Sequence, residues 1–176
     1  AQSIQKSEGE ELTPNLTANL GNSGSLSVSS MNIDTLSLRG AGDQLNASGS
    51  IELKQTNLSS TSGTLNVKGE SGASFSLGDL TVTGLASVTT EAGSSLITNS
   101  IKGTEGTESF TVASGGGSFN LGDVSKLGTL ELGGFVLGGE VQSIQSVDNL
   151  NILGNVGILS IKTSSSVSKS SFSGEE

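Results

Sequence analysis

The feature that most constrains this chain is a seven-residue phrase that occurs twice. Ser74-Phe75-Ser76-Leu77-Gly78-Asp79-Leu80 returns as Ser118-Phe119-Asn120-Leu121-Gly122-Asp123-Val124, 44 positions later. A weaker copy, Ser95-Leu96 followed by Ile101, lies between them, so the interval corresponds to two turns of about 22 residues. A recurring interval of this size is typical of stacked repeats, in which no single unit can bury its own apolar face.

The apolar residues that open the successive copies set the length of the repeat. Their spacing is about 23 residues on average, along the series Leu26, Ile51, Phe75, Leu96, Phe119 and Val141. Inside each copy apolar and small polar residues alternate with period two, which indicates strands and not helices. The sequence therefore predicts an all-β protein, a single-stack β-solenoid (parallel β-helix) of about six coils. A β-sandwich, which also contains many short alternating strands, is the alternative.

Composition supports an ordered and narrow core. Ser, Thr and Gly fill 76 of the 176 positions, and hydrophobic residues make up only 32%. Such a bias alone would permit disorder, but charged residues are only 14% and the apolar residues keep their alternation. A solenoid interior needs few large side chains, and Gly and Ser suit corners that recur on every turn.

Composition shifts divide the chain into three parts. Residues 1–15 are a polar and acidic arm with Glu8, Glu10 and Glu11, closed by Pro14, the only proline. Residues 16–162 are the predicted solenoid. Residues 163–176 are a Ser-rich tail, or a final polar strand. The arm is either a solvated segment or a strand or cap that docks on a neighbouring subunit.

Residue types exclude most catalytic chemistry. The chain has no His and no Cys, so a Ser-His-Asp triad and a Cys/His zinc site are both excluded. Asp79 and Asp123 form the one candidate carboxylate pair: two coils apart they would lie roughly 9–10 Å from each other, a separation that inverting glycosidases use. However, Asp after Gly is an ordinary turn residue, and few aromatic rings are available to stack on a sugar. We therefore predict no catalytic residue, no metal ligand and no cofactor.

Charge and hydropathy narrow the choice of partners and location. A net charge of −9 with eight scattered basic residues argues against nucleic-acid binding, and no apolar run is long enough to span a membrane. The chain begins with Ala1 and not Met, which follows either from trimming of the sequence or from removal of a leader, and the second would imply export. Sequons at Asn15, Asn46 and Asn57 are compatible with a glycosylated surface protein. We expect an extracellular or cell-surface location, with a cytoplasmic cytoskeletal polymer as the alternative.

The Gly-Ser-apolar-x-apolar coils of residues 24–161 resemble two groups of proteins. One group is the exported β-solenoid surface proteins, including filamentous-haemagglutinin-like, S-layer and extracellular-filament subunits. The other is the bactofilins, small cytoskeletal β-helices that polymerise end to end. The resemblance implies a non-enzymatic structural subunit that forms a head-to-tail homopolymer through its open ends.

Two other functions stay open at this point. One is a monomeric adhesin or glycan-binding surface module, in which residues 1–15 and the C-terminal tail act as caps. The other is a polysaccharide-active β-helix enzyme. The run Phe135-Val136-Leu137 cannot place all three side chains in a narrow core, which suggests an exposed apolar patch and a partner near it.

Overall fold

A computed structural model describes residues 3–5, 15–22, 24–114, 117–133, 138–154 and 158–173. About 80% of the chain is strand, and the described residues contain no helix. The strands are β1 (Ser3–Gln5), β2 (Asn15–Asn19), β3 (Leu26–Val28), β4 (Ser30–Arg39), β5 (Gly42–Ala47), β6 (Ser50–Gly69), β7 (Ser74–Ser76), β8 (Asp79–Thr90), β9 (Ser95–Gly103), β10 (Ser109–Ser114), β11 (Ser118–Gly133), β12 (Gly139–Leu153) and β13 (Leu159–Ser173).

All these strands belong to one parallel sheet that winds into a β-solenoid of about seven turns. Each coil, meaning one turn of the solenoid, hydrogen-bonds to the coils next to it. The prediction of a single-stack solenoid is confirmed, with about seven turns in place of about six. The β-sandwich alternative is wrong because every described strand pair is parallel and joins consecutive coils.

Paired residues on successive coils form columns, and one inward column carries the repeated phrase. It includes Met31, Ile51, Phe75, Leu96, Phe119, Gly139 and Leu159. Phe75 and Phe119 therefore lie in one column with Leu96 between them, as the phrase predicts. From Met31 onward the steps between members are unequal, and among these the step from Ile51 to Phe75 is the longest.

Two members of the predicted series were wrong. Leu26 pairs with Leu45, on a different face of the solenoid, and Val141 pairs with Leu121, so that Gly139 takes the place next to Phe119. The reason at Gly139 is volume: a Cβ there would lie 2.3 Å from Cζ of Phe119. The Phe119 ring already fills the space that a side chain on the next coil would need, and packed interiors tolerate no overlap.

The N-terminal arm falls partly within the described residues. β1 pairs with β4 and β2 pairs with β4, each in parallel, so two short segments of the first coil join the sheet of their own chain. Asn15, placed in the arm by the sequence, is the first residue of β2. Residues 6–14, with the acidic cluster, lie outside the described residues.

The solenoid continues past the boundary that the sequence placed after residue 162. β13 pairs with β12 from Leu159 to Ser173, so residues 163–173 form a final polar strand and not a tail. Backbone hydrogen bonds extend the sheet here although Ser164 and Ser170 replace apolar residues of the preceding coil, because backbone pairing does not depend on side-chain type. Residues 174–176 lie outside the described part.

Candidate functional site

The phrase Leu-Gly-Asp forms a corner of the solenoid. A Cβ on Gly78 would lie 2.1 Å from the carbonyl oxygen of Lys54, and a Cβ on Gly122 would lie 1.8 Å from that of Asn99. Both carbonyls belong to the preceding coil. Real side chains cannot approach a backbone oxygen so closely, so only glycine lets these coils stack at the corner.

The aspartates of the phrase lie beside this corner and tie consecutive coils together. Ser100 Oγ donates to Asp79 Oδ1 at 2.9 Å, and Ser143 Oγ donates to Asp123 Oδ1 at 2.6 Å. Asp79 and Asp123 share a column with Ser100 between them, two coils apart as predicted. We call this column the polar ladder; it comprises Asn15, Thr35, Gln55, Asp79, Ser100, Asp123, Ser143 and Thr163.

A shallow groove of about 400 Å³ follows the N-terminal part of the polar ladder. Within it Lys54 Nζ lies 3.2 Å from Asp34 Oδ1, and the Asp34 side chain is only 10% exposed. The lysine pairs with this nearly buried carboxylate, and the exposed carboxylate of Asp79 also lines the groove, so the groove is polar. Across the described ranges, no group of three or more His, Cys, Asp or Glu side chains could hold a metal ion.

A buried carboxylate that the sequence did not single out closes another corner. Glu108 is 4% exposed and accepts hydrogen bonds from four backbone amides, those of Thr104, Glu105, Gly106 and Thr107, at 2.6–3.1 Å. The Thr104 hydroxyl donates a fifth at 2.5 Å. We call residues 104–108 the Glu108 clasp.

The clasp changes the acidity of its carboxylate. Burial by itself raises the pKa of Glu108, but the hydrogen bonds from the Thr104 hydroxyl and the backbone amides together outweigh it and lower the pKa to about 2. The sequence signal here is Gly-Thr-Glu repeated at residues 103–108. It contains two glutamates in identical local contexts, and only the fold shows that Glu108 is buried while Glu105 is exposed.

The C-terminal end of the solenoid presents a long strand edge. Among the described residues β13 pairs only with β12, so one side of a 15-residue strand faces away from the sheet. We call this side the β13 edge. Two inward columns end in serine here: Ser164 follows Ile144, and Ser170 follows Leu150.

The N-terminal end presents shorter edges. Within the described ranges β2 pairs only with β4, and β3 pairs only with β5. Apolar side chains at both ends are partly buried against the core. They are Leu16, Ala18, Leu20 and Leu26 at the N-terminal end, and Leu159, Ile161 and Val167 at the C-terminal end. Each end therefore shows a row of half-covered apolar side chains.

Other predicted features are placed only in part. Of the sequon asparagines, Asn15 is exposed, whereas Asn46 and Asn57 are half-buried. The predicted apolar patch at Phe135-Val136-Leu137 lies outside the described residues. No segment with the length and hydropathy of a membrane-crossing helix occurs in the part of the chain that the structure describes.

A comparison with protein-family models found no match, and neither the curated proteins nor the solved structures gave one. The function of the chain therefore has to be inferred from its own geometry.

Proposed function

We propose that this chain is a non-enzymatic structural subunit that assembles with copies of itself, end to end, into an extracellular or cell-surface filament. The observation that carries the proposal is the β13 edge, a 15-residue row of backbone groups with no partner strand among the described residues. An uncovered strand edge of this length is a template for pairing with another chain. A second copy of the solenoid, with matching short edges on its first coil, fits that template.

Charge distribution favours contact through the ends over contact through the sides. Residues 29–153 carry twelve acidic and five basic side chains. Residues 15–28 carry none, and residues 159–173 carry only Lys162 and Lys169. Lateral packing of two solenoids brings acidic surfaces together, whereas the described strands of the two end coils carry no acidic side chain; Glu8, Glu10, Glu11, Glu175 and Glu176 lie outside the described residues. A head-to-tail contact that repeats without closing produces a filament.

The proposed extracellular location rests on signals in the sequence and on the exposure of one asparagine in the structure. The exposed Asn15 lies in a sequon, where N-linked glycosylation of an exported protein would occur. Antibody labelling of intact source cells tests this part of the proposal. Labelling of intact cells supports a surface location, and labelling only after permeabilisation supports a cytoplasmic cytoskeletal polymer instead.

One observation favours a second candidate, a monomeric adhesin or glycan-binding module. Ser164 and Ser170 occupy inward columns where the preceding coil has Ile144 and Leu150. Repeat proteins commonly end in a coil with polar residues, which stops further stacking. If β13 is such a cap, purified protein stays as single particles and its polar outer faces are the surface that meets glycans.

A pair of lysine substitutions separates the two candidates. Ser164 and Ser165 are adjacent and both exposed in the single chain, but only Ser164 belongs to an inward column. A lysine at residue 164 therefore becomes buried only when another copy covers the β13 edge, and a buried unpaired charge opposes association strongly. We expect fibres from the wild type and from Ser165→Lys, and none from Ser164→Lys, by negative-stain electron microscopy and sedimentation.

The opposite results are equally informative. Discrete particles from the wild-type protein contradict the filament proposal and favour the capped module, for which binding to a glycan array is the next measurement. Fibres that form equally well with Ser164→Lys show that association does not use the β13 edge. Circular dichroism of both variants checks that the solenoid is folded.

A further inference from the structure

We infer that the junction between two copies continues the register of the solenoid, so that Asn15 of one copy follows Thr163 of the other in the polar ladder. This inference rests on the proposed function and adds to it the polarity and the register of the contact. The C-terminal coil of one copy then meets the N-terminal coil of the next, with parallel strands, as between any two coils of one chain.

The coil steps on this face agree at the two ends. Asn15 pairs with Thr35 and Ser143 pairs with Thr163, and the two steps have the same length. The coils that would meet thus share this step on the face of the polar ladder, whereas the segment between residues 4 and 15 of the first coil is longer than the segment between residues 159 and 163 of the last. Two columns on the flanking faces also run from one end of the solenoid to the other, from residue 4 to residue 159 and from residue 26 to residue 172. In the inferred register residue 4 of one copy follows residue 159 of the other, and residue 26 follows residue 172.

The chemistry at the two ends of the polar ladder is complementary. Thr163 and Asn15 are both exposed and both neutral, so bringing them together buries no charge. An amide and a hydroxyl already meet in this way one coil step apart on the same face, where Asn57 Nδ2 donates to Ser37 Oγ at 3.1 Å. The junction repeats that contact between chains.

The inward side of the junction is less apolar than the contacts within a chain. In the inferred register Leu16 covers Ser164, whereas inside the chain Val124 stacks on Ile101 and Ile144 stacks on Val124. Half-covered apolar side chains such as Ile161 gain contacts, but the serine contributes little hydrophobic stabilisation. Fibres should therefore dissociate at junctions before the solenoid unfolds.

Engineered cysteines test the register directly because the chain has no cysteine of its own. Neighbouring strands lie about 4.8 Å apart, within the Cα separation of about 4.4–6.8 Å that a disulfide spans. The test variant is Asn15→Cys with Thr163→Cys. The register control is Thr17→Cys with Thr163→Cys, since Thr17 is exposed on the same strand two positions further on. Asn15→Cys with Thr35→Cys, an in-register pair within one chain, shows that the ladder geometry permits the bond.

The readout is a non-reducing gel of fibres after mild oxidation. We expect a ladder of covalently linked chains from the test variant and single chains from the register control. A ladder from the control variant, or dimers from Thr163→Cys alone, would overturn the inferred register or polarity while leaving filament formation intact. If neither the wild type nor any variant forms fibres, the proposed function fails and the inference fails with it.

Discussion

The last three coils of the solenoid and the middle coils, from β6 to β9, differ in strand continuity and in the number of residues per coil. Each of the last three coils is one uninterrupted strand (β11, β12 and β13), and the steps between them are equal. In the middle coils the steps along the column of the repeated phrase are longer and unequal. The extra residues lie at corners: the register shifts between Ser59 and Thr64, and the Glu108 clasp fills another corner.

The two regions also differ in the residues that turn the chain. Corners of the middle coils use glycines with positive φ, including Gly63 and Gly84. Among the described residues, the non-glycine left-handed positions all fall in the last three coils, one in each: Lys126 (φ 55°), Ser146 (φ 53°) and Ser166 (φ 56°). In both regions the inward columns keep their register, and the corners absorb changes in coil length with or without glycine.

The largest effect should come from the corner that both regions share. Gly122→Ala places a Cβ 1.8 Å from the Asn99 carbonyl oxygen, so two coils must separate locally. We expect a loss of about 3 kcal/mol in the free energy of unfolding, at the upper end of overpacking costs. The measurement is urea denaturation in the Ser164→Lys background, to exclude assembly.

Gly133→Ala in the same strand is the matched control. Its Cβ would lie 3.4 Å from the nearest atom, the Leu153 carbonyl oxygen, which is nearly ordinary contact. We expect a change of about 0.5 kcal/mol or less, as at surface positions. Equal losses for the two variants would show that close approach at the corner is not what selects glycine in the phrase.

The second prediction concerns the Glu108 clasp, which belongs to the less regular region. Glu108→Gln removes a charged acceptor of five hydrogen bonds, and should cost about 2–3 kcal/mol at neutral pH. The folded-state pKa lies below the ordinary value of 4.5, so the stabilisation is complete above that pH and is lost as pH falls toward 2. Urea denaturation between pH 7 and pH 2 should show the gap between wild type and variant closing.

The exposed neighbour Glu105 provides the control for this prediction. Glu105→Gln changes the same charge in the same loop, and we expect less than about 0.5 kcal/mol because its side chain is exposed. A gap between wild type and Glu108→Gln that stays constant with pH would mean that the carboxylate charge does not hold the corner.

The smallest effect should appear at the left-handed positions of the regular region. Ser146→Gly relieves a conformation that costs an L-residue about 1–2 kcal/mol, partly offset by about 0.5–1 kcal/mol of glycine entropy. We expect a net stabilisation of about 0.5 kcal/mol, seen as a higher melting temperature. The exposed neighbour variant Gln145→Gly should be destabilised instead, and a gain in both would point to a cause other than φ.

The sequence predicted the columns better than the corners. Phe75, Leu96 and Phe119 could be aligned because large apolar residues recur at nearly equal intervals, and those intervals are real steps of the solenoid. The stacking of Asp79 and Asp123 follows from the same alignment. A column is visible in sequence when each coil contributes its own side chain to it.

Other features could not be predicted, because the residue that explains a position lies on another coil or because two positions in one coil have the same local sequence. Gly139 has no side chain to mark its place; its space is filled by Phe119, one coil earlier. Likewise Glu105 and Glu108 both follow a Gly-Thr pair, and their different burial depends on how the loop folds over its own amides. Strand β13 has the composition of a tail, yet its backbone pairs along its whole length.

Engineered disulfides can show whether neighbouring coils stack in the described register. Ile97 and Asn120 are exposed, paired residues on consecutive coils, and Ser95 lies two positions before Ile97 on the same strand. Because the chain lacks cysteine, Ile97→Cys with Asn120→Cys should close an intrachain disulfide readily, whereas Ser95→Cys with Asn120→Cys should stay reduced. A disulfide in the Ser95/Asn120 variant but not in the Ile97/Asn120 variant would contradict the stacked solenoid, and so would the absence of a disulfide in both.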